Sequence, residues 1–166
     1  MMTTKNYILK TTNLSIGYAN KSETNTIAST INLGLEKGKL IALIGENGIG
    51  KSTLLKTLTG IIPPLKGEVT LLNKSLQSFK PLALAQELSI VLTEKLPPSN
   101  LTVYEIIALG RQPYTNWLGS LSDEDTTKID EAIALTEINH LIHKKHDEVS
   151  DGQLQIALIA RALAQD

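Results

Sequence analysis

The chain contains 166 residues, of which 42% are hydrophobic, so it is long enough to form one globular domain with a packed core. Its 16 basic and 17 acidic residues leave a formal net charge of −1, which gives no indication of a nucleic-acid-binding protein. The absence of cysteine excludes a disulfide framework and a thiolate metal site, and it fits a reducing compartment. No signal-peptide-like run opens the chain, and no apolar stretch approaches the roughly 18 residues of a membrane-spanning helix. We therefore expect a single cytoplasmic domain over residues 1–166.

The first 44 residues have the pattern of a sheet. Residues 7–18 and 26–35 are short, β-branched and interrupted by Gly or Asn, which predicts two strands of an antiparallel layer. The apolar run 40–44 predicts a further strand over 39–44, and a helix is expected over 51–59. The chain therefore passes from a strand to a helix through the segment 45–50.

That segment has the composition of a phosphate-binding loop, since residues 45–53 read GENGIGKST. Its glycines allow several backbone N–H groups to point at one anion, and the positive end of the following helix faces the same anion. Lys51 is expected to reach the β- and γ-phosphates, and Ser52 offers a hydroxyl to Mg²⁺. The predicted nucleotide-binding residues of the loop are Gly45, Asn47, Gly48, Gly50, Lys51, Ser52 and Thr53.

The middle of the chain continues the alternation of strands and helices. Gly60 ends the first helix, and residues 67–74 predict a hairpin arm with its turn. Pro81 predicts the start of a short helix over 81–87, because proline is favoured at the first helical position. The apolar run 88–92 is consistent with a buried parallel strand.

From residue 102 onward the pattern is helical. Thr102 can cap a helix over 103–109, and Ser122 with Asp125 three residues later predicts a capping box that opens a helix ending near residue 136. Ser150 and Gln153 form the same arrangement before an apolar helix over 154–164, which predicts at least a well-capped buried helix.

Two clusters could be interpreted as metal sites, and we favour the simpler interpretation for both. The acidic residues 123–125 complement the dipole of a first helical turn without an ion. Histidines recur every three residues between positions 140 and 146, but the lysines at 144 and 145 lie among them and would repel a cation. A solvated helix face is the favoured interpretation there.

Two motifs together give a resemblance to a known family. Residues 149–155 read VSDGQLQ and residues 160–163 read ARAL, and with the phosphate-binding loop they make the chain resemble the ATP-binding-cassette (ABC) ATPases from about residue 7 to its end. The segments 108–114 (ALGRQPY) and 150–152 (SDG) look like the branch that drives import of iron-siderophores, haem and cobalamin. The resemblance implies an α/β P-loop NTPase fold with a mixed or parallel core sheet, an N-terminal antiparallel β layer and a helical insert.

The resemblance also implies a function and its cofactors. It implies the ATP-binding subunit of an ABC importer, which couples ATP binding and hydrolysis to transport, with ATP and Mg²⁺ as cofactors. Tyr18 matches the aromatic residue that stacks on adenine, with a core aromatic as the alternative. Nucleic acid is not an expected partner.

Two protein partners are implied as well. In the family two cassettes pair head to tail, so the signature residues Ser150, Asp151, Gly152 and Gln153 would act on the ATP of a second subunit. Membrane permease subunits are the other partners, and they would hold the chain against the inner face of the cell membrane. Either permease docking or internal packing of the helical insert would account for the apolar and aromatic residues Leu101, Val103, Tyr104, Pro113, Tyr114 and Trp117.

The chain departs from the family pattern at several positions. Thr93 is aligned with the usual Q-loop glutamine, and the neighbouring Glu94 is an alternative ligand of Mg²⁺. Ile156 replaces a residue that is commonly basic. The chain ends at Asp166, before the Walker B strand, the catalytic glutamate and the switch histidine, so the resemblance implies no turnover by this chain alone.

The domain is thus expected to comprise a β layer and P-loop core (1–92), a Q-loop region with a helical insert (93–149), and the signature with its helix (150–166). A non-hydrolysing nucleotide-binding fragment and the cassette of a soluble ABC protein are the alternative functions. Long coiled coils or basic stripes would favour a soluble relative, and the sequence contains neither.

Overall fold

The computed structural model describes residues 7–92, 97 and 99–165. Contacts divide the chain into two compact units, Met1–Phe79 and Lys80–Asp166. Among the described residues, the first unit contains all five named strands and one α-helix, and the second contains four α-helices with short 3₁₀ turns.

The first unit is organised around one long strand, β1 (Tyr7–Ala19). Antiparallel pairing joins β1 to β2 (Thr24–Ile31), β3 (Gly34–Glu36) and β4 (Lys66–Leu71), and β4 also pairs with β5 (Lys74–Ser75). The predicted antiparallel layer is confirmed, although the segment expected as one strand over 26–35 forms the two strands β2 and β3. The hairpin expected at 67–74 is the β4–β5 pair.

One helix follows the phosphate-binding loop, as predicted. Helix α1 (Lys51–Leu58) buries its face formed by Thr53, Leu54, Thr57 and Leu58. Because these positions recur at helical spacing, the exposed face of α1 is left to polar residues and Leu55.

The strand predicted over 39–44 is wrong. Residues 39–46 have no regular secondary structure, and the side chains of Leu40 and Ile44 are 102% and 89% exposed. A buried parallel strand requires hydrogen-bonded neighbours, and no described residue pairs with this segment. The apolar run alone therefore does not produce a strand.

The second unit is a group of helices packed around an apolar core. It contains α2 (Pro81–Glu87), α3 (Val103–Ala108), α4 (Asp123–Leu135) and α5 (Asp151–Ala164), with 3₁₀ turns at Leu109–Arg111, Asn139–Leu141 and His146–Glu148. Alanines at 157, 160 and 164 give α5 a small-residue face that is fully buried in the core with α3 and α4. The buried core residues are Val103, Ile107, Ile129, Ala132, Ile133, Ile138, Leu141, Ala157, Ala160 and Ala164.

The helix starts in this unit agree with the sequence. Ser122 and Ser150 form the predicted capping boxes, and Thr102, predicted as a cap, forms one as well, each hydroxyl accepting from the backbone N–H of the third helical residue. The proline-initiated helix α2 has the predicted bounds. These starts are set by residues within one helical turn.

The strand predicted over 88–92 is also wrong, because residues 88–92 are irregular and pair with no described strand.

On α5, Leu158 is buried, whereas Ile156, Ile159 and Leu163 are between 39% and 46% exposed. Among the residues that the structure describes, no helix has the length and apolarity needed to cross a membrane.

Candidate functional site

The loop that precedes α1 has the backbone shape of an anion site. Gly50 is the N-cap residue of α1 with φ 105°, a left-handed conformation that favours glycine, and no side chain caps the helix there. A Cβ at this position would also overlap the side chain of Ile27. The first N–H groups of α1 are therefore left for a ligand, and the helix dipole favours a negative one.

Lys51 lies across this loop. Its Nζ donates to the carbonyl oxygens of Gly45 and Glu46, each at 2.7 Å. Both acceptors are neutral, and charged phosphate oxygens are stronger acceptors for an ammonium group. A bound phosphate can therefore compete for Nζ without the loop having to change its fold.

Tyr18 lies beside the same helix. Its Oη is 3.3 Å from Thr53 Oγ1, and its side chain is 51% exposed whereas Thr53 is 6% exposed. The structure thus brings together two predicted residues that lie 35 positions apart in the sequence. Because Tyr18 is half exposed, the core-aromatic alternative does not describe its position.

The remaining loop residues predicted to bind nucleotide are accessible. Ser52 is exposed at the start of α1, and the Gly45, Asn47 and Gly48 segment is exposed in front of it. A hydroxyl oxygen at the mouth of a phosphate site is of the donor type that Mg²⁺ accepts.

The predicted signature residues form the start of α5. Ser150 Oγ accepts from Gln153 N at 3.3 Å, and Gln153 Oε1 accepts from Ser150 N at 2.9 Å. Ser150, Asp151 and Gly152 are exposed, and a Cβ added to Gly152 would meet no heavy atom within 4 Å. Packing within the second unit therefore does not explain why position 152 is glycine.

A comparison with protein families decides the identity of the fold. The model of the ABC transporter family matches residues 28–166. The chain belongs to the ABC transporter family.

Individual ABC proteins agree with this assignment. The chain is 43% identical over 159 residues to the ABC transporter ATP-binding protein MJ0873 of Methanocaldococcus jannaschii, covering 96% of the chain and 53% of the relative. It is 39% identical to the achromobactin transport ATP-binding protein CbrD of Dickeya dadantii, covering 92% and 55%. It is 36% identical to the iron(3+)-hydroxamate import ATP-binding protein FhuC of Bacillus subtilis, covering 95% and 57%. The chain thus spans about half the length of these relatives.

A solved structure supports the fold. The dimeric ATP-binding cassette MJ0796, in a post-hydrolysis state bound to ADP and Pi, superposes with a TM-score of 0.75 at 25% identity. The match covers 95% of the chain and 69% of that structure. The P-loop ABC ATPase fold expected from the sequence is therefore confirmed.

Some expected features of an ABC cassette are not placed by the structure. Thr93 and Glu94, the two candidates at the Q-loop position, lie outside the described residues. The described part of the chain contains no group of three or more His, Asp or Glu side chains that could hold a metal ion.

The apolar set considered for permease docking is divided by the structure. Val103 is completely buried and belongs to the core, whereas Trp117 is 92% exposed and Tyr114 is 39% exposed. The second unit also has an open groove of about 250 Å³ lined by Leu101, Ala108, Leu109, Gln112, Thr115 and Leu121, among others. Internal packing accounts for Val103, whereas Trp117 is left at the surface.

The second unit contains a buried ion pair that the sequence does not predict. Arg111 Nε donates to Asp125 Oδ1 at 2.8 Å, with both side chains at most 5% exposed. The sequence indicated a capping box with Ser122 and a dipole-complementing role for Asp125, and only a family resemblance for Arg111. The position of Arg111 directly after Gly110 is the only signal in the sequence. It does not identify Asp125, 14 residues later, as the partner of Arg111.

Proposed function

We propose that the chain is the ATP-binding part of an ABC importer subunit, in which residues 45–53 bind the triphosphate. The observation that carries the proposal is the uncapped start of α1 behind Gly50, with Lys51 Nζ at the loop and Tyr18 beside Thr53. These groups combine an anion site, a cation held by neutral carbonyl oxygens and an exposed aromatic ring. Such a set fits a nucleoside triphosphate better than an isolated phosphate.

Each residue has a distinct task in this proposal. Backbone N–H groups of the loop and of Lys51, Ser52 and Thr53 bind phosphate oxygens, and Lys51 transfers its ammonium group from the loop carbonyls to the β- and γ-phosphates. Tyr18 stacks on adenine. Ser52 is the residue that would hold Mg²⁺, which supplies charge neutralisation at the phosphates when it is bound.

A second copy of the chain is the proposed partner at the signature. Ser150 and Gly152 are exposed at the N-terminus of α5, and Gly152 offers a surface without a side chain. In the head-to-tail arrangement these residues cover the γ-phosphate bound by the partner's loop. The cassette MJ0796 is dimeric in its structure with ADP and Pi, which supports a second copy as the partner.

The proposed membrane partner is a permease, and the proposed location is the cytoplasmic face of the membrane. Trp117 and Leu118 are exposed and lie in the sequence between Thr115 and Gly119, which line the groove of the second unit, and aromatic residues are enriched at protein interfaces.

The proposed cargo is an iron-siderophore, because relatives are named for achromobactin transport and iron(3+)-hydroxamate import. Haem and cobalamin importers belong to the same group of candidates. The complete subunit would couple ATP hydrolysis to this transport.

The nucleotide proposal is tested by titrating a fluorescent ATP analogue against three proteins. Lys51→Ala should weaken binding at least about tenfold, because a hydrogen bond to a charged group contributes about 1.5–3 kcal/mol. Lys37→Ala is the matched control, since Lys37 is an exposed lysine of the same unit outside the loop. An unchanged dissociation constant for Lys51→Ala, or an equal loss for Lys37→Ala, contradicts the proposal.

A further inference from the structure

Arg111 is a buried cation that contacts three separate parts of the second unit. Its Nε donates to Asp125 Oδ1 at 2.8 Å, and its Nη1 donates to the carbonyl oxygen of Ala164 at 3.0 Å. The guanidinium also lies 4.0 Å from the ring centroid of Tyr114. Because a buried charge is unfavourable without partners, these contacts fix the guanidinium in one place.

Asp125 is held just as firmly from the other side. Its Oδ2 accepts from the backbone N of Ser122 at 2.9 Å and from Ser122 Oγ at 2.7 Å, while Oδ1 accepts from Arg111. The carboxylate therefore serves both the capping box of α4 and the ion pair. Arg111 is thereby anchored to the first turn of α4.

The third contact is with the last turn of α5. The Ala164 carbonyl belongs to the helix end, where carbonyl groups have no partner within the helix, and a cation there also complements the helix dipole. Gly110 lies against the same turn, because a Cβ at Gly110 would overlap the Arg161 carbonyl oxygen and lie 3.4 Å from Ala164 Cβ. Two consecutive residues therefore set the position of the C-terminal end of α5.

The opposite end of α5 carries the signature residues. The helix has 14 residues, so its two ends are separated by about 20 Å of rigid backbone. A displacement of the last turn along the helix axis or around it must therefore move the first turn too. The contacts of Arg111 at one end restrict the position of Ser150 at the other.

We propose that Arg111 is a positioning residue for the signature segment Ser150–Gln153 and acts through α5. Asp125 holds the Arg111 guanidinium in place, and Gly110 lets the chain approach the last turn of α5 closely. The functional meaning of this positioning rests on the proposed role of the signature at a partner's nucleotide. Removal of Arg111 should loosen the start of α5 while the rest of the second unit keeps its fold.

The test is amide hydrogen exchange in the 166-residue chain carrying Arg111→Met and Asp125→Asn together. Methionine preserves the length of the side chain, and asparagine keeps an acceptor for Ser122, so no buried charge is left unpaired. We expect the amides of Gln153 and Leu154, which donate to Ser150, to exchange about fivefold faster or more, the factor of one lost hydrogen bond. The amide of Thr136, which donates to Ala132 in α4, should change less than about twofold.

The matched control is Lys128→Gln with Glu131→Gln. It removes a second ion pair of α4, at 3.5 Å, whose side chains are 37% and 57% exposed. This variant should leave exchange at Gln153 and Leu154 unchanged, because an exposed pair constrains little.

Two results overturn the proposal. One is faster exchange confined to the last turn of α5 near Ala164, which would make the contact local. The other is an equal increase of exchange throughout α4 and α5, which would make the pair a general stabilising contact.

If the double variant does not fold, Arg111→Lys replaces it. Lysine keeps the charge beside Asp125 but lacks the guanidinium group, which donates to Asp125 and Ala164 together. Loss of nucleotide binding by Lys51→Ala is measured separately, so failure of either proposal is recognised on its own.

Discussion

Gly152 lies in the first turn of α5 at a position where a methyl group would meet no heavy atom within 4 Å. Alanine is more favourable than glycine in a helix by up to about 1 kcal/mol, so Gly152→Ala should raise the melting temperature of the chain. Gly67→Ala is the contrasting control, because Gly67 has φ +76° and a Cβ there would overlap the Asn13 carbonyl oxygen. A lower melting temperature for Gly152→Ala would show that the fold itself requires this glycine.

Tyr18 offers a second test at the scale of one residue. Tyr18→Phe removes the hydroxyl that lies beside Thr53 but keeps the ring, so nucleotide affinity should remain close to that of the parent chain. Tyr18→Ala removes the stacking surface and should weaken the binding of ATP by about 1–3 kcal/mol, whereas Tyr18→Trp should keep the affinity for ATP. Equilibrium titration with ATP distinguishes the variants. Equal affinity for Tyr18→Ala and the parent would remove Tyr18 from the site.

At the scale of an element, the start of α4 depends on the ionised form of Asp125. Hydrogen bonds from the backbone and hydroxyl of Ser122, followed by those from Arg111, lower the pKa of Asp125 from 3.8 to about 2. A carboxyl group whose pKa is lower in the folded state than in the unfolded state stabilises the fold at pH values above its unfolded-state pKa. For Asp125 this stabilisation is lost as the pH falls from about 4 to about 2.

The corresponding prediction uses Asp125→Asn. This variant should be less stable than the parent at pH 6, because it leaves the Arg111 cation without its buried partner. The difference in unfolding free energy should shrink as the pH is lowered toward 2, since the parent then loses its own carboxylate. Denaturant melts across this range give the answer. A difference that stays constant with pH would mean that Asp125 does not titrate with folding.

The same elements show which parts of the fold can be predicted from sequence. The three capping boxes are local, so Thr102, Ser122 and Ser150 identify helix starts without knowledge of the rest of the chain. The segments 39–44 and 88–92 fail because a strand exists only with a hydrogen-bonded neighbour, which an apolar run does not specify. The Arg111–Asp125 pair was missed for the same reason, because tertiary packing chooses the partner. The motif at residues 45–53 can be read directly from the sequence because its residues are contiguous, and its binding of phosphate stays a prediction.

At the scale of the whole molecule, head-to-tail pairing makes a prediction about mixtures of variants. Ser150→Arg places a large cation at the signature and should abolish ATP-dependent association, whereas ATP binding by one copy should persist. Lys51→Ala should abolish association by preventing ATP binding. In a mixture, one site of each heterodimer combines an intact loop with an intact signature, so partial ATP-dependent association should return. Light scattering of the two variants, alone and mixed, measures this directly. If mixing restores nothing, then pairing of the proposed kind is excluded.

A crystal structure of the chain with a non-hydrolysable ATP analogue would show directly whether the loop 45–53 binds the triphosphate of ATP. We expect phosphate oxygens at the backbone of Gly48–Thr53, with the adenine ring on Tyr18. We also expect Lys51 Nζ to contact the β- and γ-phosphates instead of the carbonyl oxygens of Gly45 and Glu46. An analogue bound elsewhere in the chain, with Lys51 Nζ still 2.7 Å from both carbonyl oxygens, would contradict this expectation.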